Sequence, residues 1–291
     1  MTERLPVVGI VGVGLIGASI GLALRQRGAA AQVVGVDTDP DAVAVARTRG
    51  AIDAGGTDLA VLNEADLVVI AVPPDSVIQT AVQTAAVMKR GSILTDVAGT
   101  KAAIVRVLDE RLPSRVRYIG GHPMAGSEGF GAGMADAALL SGRPFLLTPT
   151  AQTDPAAVAV VTTLIEQLGM QPVLMSPDDH DELVAQISHL PYLVAIAAVA
   201  ASGDRAIGIS GPTFGSLLRV ARGPVQLWAQ ISRGNRAALK RALERFRQEL
   251  DHLERALDGE ESLETLLTRS RQRASADRAE RLTRGVDHAG D

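Results

Sequence analysis

The amino-acid sequence predicts an α/β protein, a mostly parallel sheet followed by an all-helical C-terminal domain. Two observations carry this reading. From the start to about Ser176, short apolar runs rich in β-branched residues alternate with amphipathic stretches of about ten to fifteen residues, the texture of strand, helix and parallel strand. After Ser176 no strand-like run recurs, and apolar residues return at helical spacing instead.

Strands are expected at Val7–Val11, Val33–Val36, Leu67–Val72, Ser92–Val97, Val116–Gly120 and Pro144–Leu147, with a last one at Val173–Met175. Their nearly continuous apolar character suits strands covered on both faces. The helical half is marked by Leu183, Ile187, Leu190 and Val194, then by Leu239, Leu243, Phe246, Leu250 and Leu253. Between the halves, Ser176-Pro177-Asp178-Asp179 supplies a chain turn and an N-cap. The expected domains are therefore 1–176 and 177–291. A chain of 291 residues with 46% hydrophobic content can fill two such cores.

The first strand runs into Gly12-Val13-Gly14-Leu15-Ile16-Gly17 and then a helix, which is the Gly-x-Gly-x-x-Gly arrangement of a Rossmann-type unit. Gly12 permits the tight turn, Gly14 lets the backbone approach a pyrophosphate, and Gly17 lets the helix pack close on the strand. Leu15 and Ile16 open that helix, whose free N–H groups face the phosphates. Asp37 closes the second strand, twenty residues after Gly17, where an acid meets the ribose 2′-hydroxyl of NAD and repels the 2′-phosphate of NADP. Ligands of parallel sheets gather at the carboxyl ends of strands, so Val72 and Pro73 on one strand end and Asp96 on the next are expected to border the cofactor.

Composition narrows the alternatives. A net charge of −4 and 2% aromatic content supply neither the basic face nor the stacking platforms of a nucleic-acid binder. The chain has no cysteine, which removes disulfides, thiolate zinc sites and cysteine nucleophiles and suits a cytoplasmic protein; no metal site is expected. Leu5 to Leu24 is uncharged over twenty residues, but five glycines mark it as the nucleotide-binding turn rather than a membrane or signal segment. Six arginines between Arg269 and Arg284 read as a solvated helix end.

The chemistry is expected around Gly120-Gly121-His122-Pro123-Met124-Ala125-Gly126-Ser127-Glu128, directly after a predicted strand. His122 there has the pKa range of a general base. Together with Thr95-Asp96-Val97, Ser188-His189-Leu190-Pro191, Arg219-Val220-Ala221, Leu227-Trp228 and Asn235, this run resembles the prephenate and arogenate dehydrogenases of tyrosine biosynthesis, from about Val7 to Asn235. The resemblance implies oxidative decarboxylation of a cyclohexadienol by NAD, with prephenate as first choice and arogenate as alternative, in a homodimeric enzyme. It also implies His122 as the catalytic histidine, Arg219 as the partner of the substrate carboxylate, and His189 and Glu128 on the substrate side. Taken by themselves, Arg219 is equally a surface arginine, His189 a satisfied core histidine and Glu128 a loop acid.

Three positions depart from the family pattern: Gly99 stands where a serine is common, Tyr192 where a second histidine is, and Ser216 where an acid is. Thr100 is the nearest hydroxyl to Gly99 and the candidate to replace that serine. Another two-domain NAD-dependent dehydrogenase and a non-catalytic NAD sensor are the rival readings.

Overall fold

The computed structural model describes residues 5–126 and 129–286. Strands β1 (Leu5–Val11), β2 (Ala30–Val36), β3 (Ala54–Gly56), β4 (Leu67–Ile70), β5 (Ile93–Asp96), β6 (Arg117–Pro123), β7 (Pro144–Thr148) and β8 (Gln171–Leu174) form one sheet, in the order β3-β2-β1-β4-β5-β6-β7-β8. The order reverses between β1 and β4, which places the topological switch point beside the glycine turn. All pairings are parallel apart from β6 with β7, so the mostly parallel expectation holds.

Helices α1 (Leu15–Gln26), α2 (Pro40–Thr48), α3 (Val77–Val87), α4 (Ala102–Arg111) and α5 (Pro155–Gln167) connect the strands. Side chains alternate along each strand, so one strand serves two cores. On β4, Leu67 and Val69 join Ala18 and Ile20 of α1 and Val161 of α5, whereas Val68 and Ile70 join Val77 of α3 and Leu108 of α4. Burial on both faces explains why these strands read as continuous apolar runs.

Two elements differ from expectation. The strand Ala54–Gly56 was not foreseen, because Ala-Gly-Gly carries no β-branched residue; it pairs with β2 through Val34↔Ala54, Gly35↔Gly55 and Val36↔Gly56. Strand β6 extends to Pro123, so His122 lies within a strand rather than in the loop after one. The extension comes from a change of partner. Residues Arg117 to Ile119 pair with β5, while Gly120 to Pro123 pair with antiparallel β7, His122 lying opposite Leu146.

Beyond β8 the chain is helical: α6 (Pro177–Val184), a π-helical turn at Ala185–His189, α7 (Leu190–Ala200), α8 (Asp204–Gly208), α9 (Pro212–Ala221), α10 (Val225–Gly234), α11 (Arg236–Leu257) and α12 (Leu263–Val286). Ser176 is the N-cap of α6, its Oγ accepting the Asp179 N–H at 3.1 Å. By compactness the chain divides into Met1–Leu239 and Lys240–Asp291. The sheet and helices α6 to α10 thus fall in the first unit. Within the second, α11 and α12 are tied by Arg269 to Glu249 at 3.2 Å.

The glycine turn is sterically demanding. Gly12 has φ of +89°, and a Cβ there would strike the Ala71 carbonyl at the end of β4. A Cβ on Gly17 would strike the Gly12 carbonyl and approach Ile10 Cγ2 at 3.0 Å. Because both obstacles are rigid, Gly17→Ala should destabilise the fold by about 1–3 kcal/mol, the usual cost of overpacking. A lowered denaturant midpoint at unchanged m-value is the expected reading; an unchanged midpoint would show that the turn has slack.

Candidate active site

The nucleotide cradle sits at the switch point. Gly12 donates its N–H to Val36 O at 2.7 Å, locking the turn to the end of β2. Asp37 follows β2 directly and stays half-exposed; one carboxylate oxygen accepts the Val13 N–H at 3.0 Å and the other the Asp39 N–H at 3.1 Å. Helix α1 begins after Gly14 with no side-chain cap and no acidic residue in its first turn. Its N-terminal N–H groups and the positive end of its dipole are therefore available to an anion. A Cβ on Gly14 would meet nothing within 4 Å, so open space lies where a pyrophosphate would approach. Leu15 and Ile16 in the first turn are half-buried, and Val72 and Pro73 lead from β4 into α3 through a short 3-10 turn, Val72 lying against Gly12. These residues fit a dinucleotide.

Asp96 has a different setting from the one expected. Its side chain is fully buried at the end of β5, salt-bridged to the buried Lys101 ammonium and accepting bonds from Ala98 N at 2.8 Å and Tyr118 Oη at 2.7 Å. Lys101, Ala98 and Tyr118 are themselves buried. Burial lowers the Lys101 pKa, against the pull of Asp96, and raises that of Tyr118 well above its usual value, so the phenol remains a donor.

Next to this pair lies a chain of polar side chains. His122 Nδ1 is 2.9 Å from His180 Nε2, and His180 Nδ1 is 2.8 Å from Asp181 Oδ1. Asp181 in turn accepts the Lys101 N–H at 2.7 Å and the Ala102 N–H at 3.0 Å, capping α4 from α6. Asn235 donates from Nδ2 to the Asp181 carbonyl at 2.6 Å and lies 3.2 Å from His189 Nδ1. Burial drives the pKa of His122 well below the ordinary histidine value, helped by His180, Lys101 and His189. Burial likewise lowers His180, despite its bond to Asp181, and pushes His189 down to about 4. The three imidazoles are neutral at pH 7.

Gly99 faces the free side of His122: a Cβ there would stand 3.6 Å from Nε2. With glycine here, no side chain from this position covers that nitrogen. Thr100 is buried, its Oγ1 turned to Gly234 of α10. His189 is buried too, ending the π-helical turn with its ring edge-on to Trp228, which stacks on Tyr192 at 3.9 Å. The structure thus gathers His122, His189, Gly99 and Thr100 with Asn235. Arg219 lies on the last turn of α9, exposed, and α9 packs against α7. Glu128 lies outside the described residues. His180 and Asp181 are not among the site residues expected from the sequence, where the cap was read at Ser176-Pro177-Asp178-Asp179 just before them; a histidine and an acid in the first turns after the last strand were the available signal. Among the described residues no cluster could hold a metal ion.

A glycine turn at the switch point, an acid closing β2 and a neutral histidine at a strand end define a dinucleotide-dependent dehydrogenase architecture. Two family models match the chain between residues 20 and 270: prephenate dehydrogenase, nucleotide-binding domain, over residues 20–174, and prephenate dehydrogenase, dimerization domain, over 176–270. The chain belongs to the prephenate dehydrogenase family. Prephenate dehydrogenase of Bacillus subtilis is 29% identical over 90% of this chain and 73% of its own. The crystal structure of prephenate dehydrogenase from A. aeolicus in complex with hydroxyphenyl propionate and NAD+ superposes with a TM-score of 0.83 at 29% identity, covering 96% of this chain and 99% of that one. Arogenate dehydrogenase of Synechocystis superposes at 0.78 with 33% identity, over 94% and 99%.

The depressed imidazoles make stability fall in acid. His189 has a folded pKa of about 4 against 6.5 unfolded, so its contribution is complete above pH 6.5 and is lost as pH falls toward 4. His122 and His180 act in the same direction. The denaturant midpoint of the wild type should drop across this window, and His189→Asn should flatten part of the drop; an equal slope in both proteins would refute the assignment.

Proposed function

We infer that the protein is an NAD-dependent prephenate dehydrogenase of tyrosine biosynthesis, an oxidoreductase that oxidises and decarboxylates prephenate to 4-hydroxyphenylpyruvate. The observation that carries this reading is His122, neutral and with Nε2 uncovered by Gly99, in a member of this family. Family membership and the NAD+ complex of the A. aeolicus relative support the cofactor and reaction.

Gly12, Gly14, Gly17 and the first turn of α1, with Leu15 and Ile16, hold the pyrophosphate, and Asp37 takes the adenosine ribose. Val72 and Pro73 would border a bound dinucleotide. NAD supplies a hydride acceptor. His122 Nε2 accepts the hydrogen bond of the ring hydroxyl, so that oxygen can feed electrons to its carbon as hydride departs. The ring carboxylate leaves as carbon dioxide, its bonding pair completing the aromatic sextet. The proton shared with His122 is back on the phenolic oxygen in the product, and no net proton is released. Arg219 binds the side-chain carboxylate as a two-pronged donor. Thr100, His189 and Glu128 are assigned to the substrate side, as the family resemblance implies.

We assign the substrate and subunit-contact role to residues 177–291 and cofactor binding to 1–176, a division supported by the two family matches meeting at Ser176. A homodimer is supported by the description of the second match as a dimerization domain, and by exposed apolar side chains at Ile187 (55%), Ile209 (81%) and Val225 (75%). The absence of cysteine favours a cytoplasmic setting. Arogenate is the second reading, favoured by the likeness to the Synechocystis enzyme.

Purified protein with prephenate should reduce NAD in preference to NADP and release 4-hydroxyphenylpyruvate; inertness toward both prephenate and arogenate would end the assignment. His122→Asn should cost about 10²–10⁴ in kcat with NAD affinity kept, and Arg219→Gln should chiefly raise KM for substrate. Sedimentation equilibrium should return twice the 30.3 kDa chain mass, and a single chain mass would overturn the dimer.

A further inference from the structure

We propose that His180 and Asp181 are positioning residues that hold His122 in its Nδ1–H tautomer, leaving Nε2 as the hydrogen-bond acceptor for the substrate hydroxyl. The proposal rests on His122 as the acceptor, and it adds the device that makes it one.

The hydrogens can be placed from the backbone outward. The Lys101 and Ala102 N–H groups at the start of α4 bind the two carboxylate oxygens of Asp181, at 2.7 and 3.0 Å, so the carboxylate cannot turn. An ionised carboxylate only accepts, so the contact of 2.8 Å makes His180 Nδ1 the donor. A neutral imidazole with hydrogen on Nδ1 has a bare Nε2, and that atom lies 2.9 Å from His122 Nδ1. Two ring nitrogens at this distance require a hydrogen between them, which His122 must supply. His122 Nε2 is then bare and faces Gly99. The opposite arrangement needs a His180 imidazolium donating through Nε2, a second cation buried beside Lys101, and it would turn His122 Nε2 into a donor. Burial disfavours that state.

Fixing this tautomer has a catalytic consequence. A solvated histidine side chain prefers the Nε2–H form, which cannot accept from a hydroxyl at Nε2. The bonded chain inverts that preference before substrate arrives. This is the orienting role that a buried acid plays behind a catalytic histidine, here relayed through a second imidazole.

The test uses the full chain labelled with 15N-histidine. Long-range proton–nitrogen correlations distinguish pyrrole-type from pyridine-type ring nitrogens in each of the five histidines, assigned by single substitution. In the wild type, His122 is expected to show a pyrrole-type Nδ1 and a pyridine-type Nε2. His180→Phe keeps the bulk and removes both bonds; His122 should revert toward the Nε2–H form, with kcat lowered about 10²-fold and KM for NAD unchanged. His180→Gln, whose Oε1 can accept from His122, should restore the tautomer and most of the rate. A wild-type His122 carrying hydrogen on Nε2, a folded His180→Phe that keeps the Nδ1–H form, or a His180→Gln that restores neither property would overturn the proposal. If His180→Phe does not fold, the wild-type spectrum and the glutamine variant decide. The spectra need no substrate, so a protein inert to prephenate with this tautomer intact would sink the assigned reaction and leave the relay standing.

Discussion

The carboxylate of Asp181 is the joint on which the site depends. One side chain caps α4 through two backbone N–H groups, bonds His180, and belongs to the first helix after the sheet. The helix that follows β5, the helix that follows β8 and the strand bearing His122 are thereby held in one register. A carboxylate this committed is expensive to replace, because each of its partners would be left buried without an acceptor.

Around that joint the protein separates charge from chemistry. The full charges, Asp96 and Lys101, are paired in the interior with Tyr118 closing the set. A buried pair of this kind adds little net stability, but the fixed ammonium beside the histidines discourages a further positive charge there. The imidazoles therefore stay neutral and work as donors and acceptors rather than as cations. The β6 strand adds rigidity by changing partner from β5 to β7 just before His122. His122 sits on a hydrogen-bonded ladder rather than on a loop tip.

The sequence made the local features legible. Strand positions followed from continuous apolar runs, the Ser176 cap from its hydroxyl next to Pro177, and the cradle from Gly12, Gly14, Gly17 and Asp37. Features made by distant pairing were hidden. Nothing in Ala54-Gly55-Gly56 predicts a strand until β2 lies beside it, and His122 reads as a loop residue until β7 returns antiparallel 24 positions later. His180 and Asp181 were hidden for the same reason, since Asp181 meets its partners at the start of α4, some eighty residues earlier in the chain. Asp96 was read from its place at a strand end, whereas its partners, Lys101 and Tyr118, decide which way it faces.

The uncapped start of α1 has a thermodynamic implication beyond its fit to a pyrophosphate. Where other helices here satisfy their first amides with Asp39, Asp154 or Ser176, α1 has only Gly14 and no acid in its first turn. The apo fold forgoes that contribution, and an anionic ligand restores it. Cofactor concentration thus becomes a determinant of how much folded protein persists. Once binding is saturating, each tenfold rise in free ligand adds about 1.4 kcal/mol to stability.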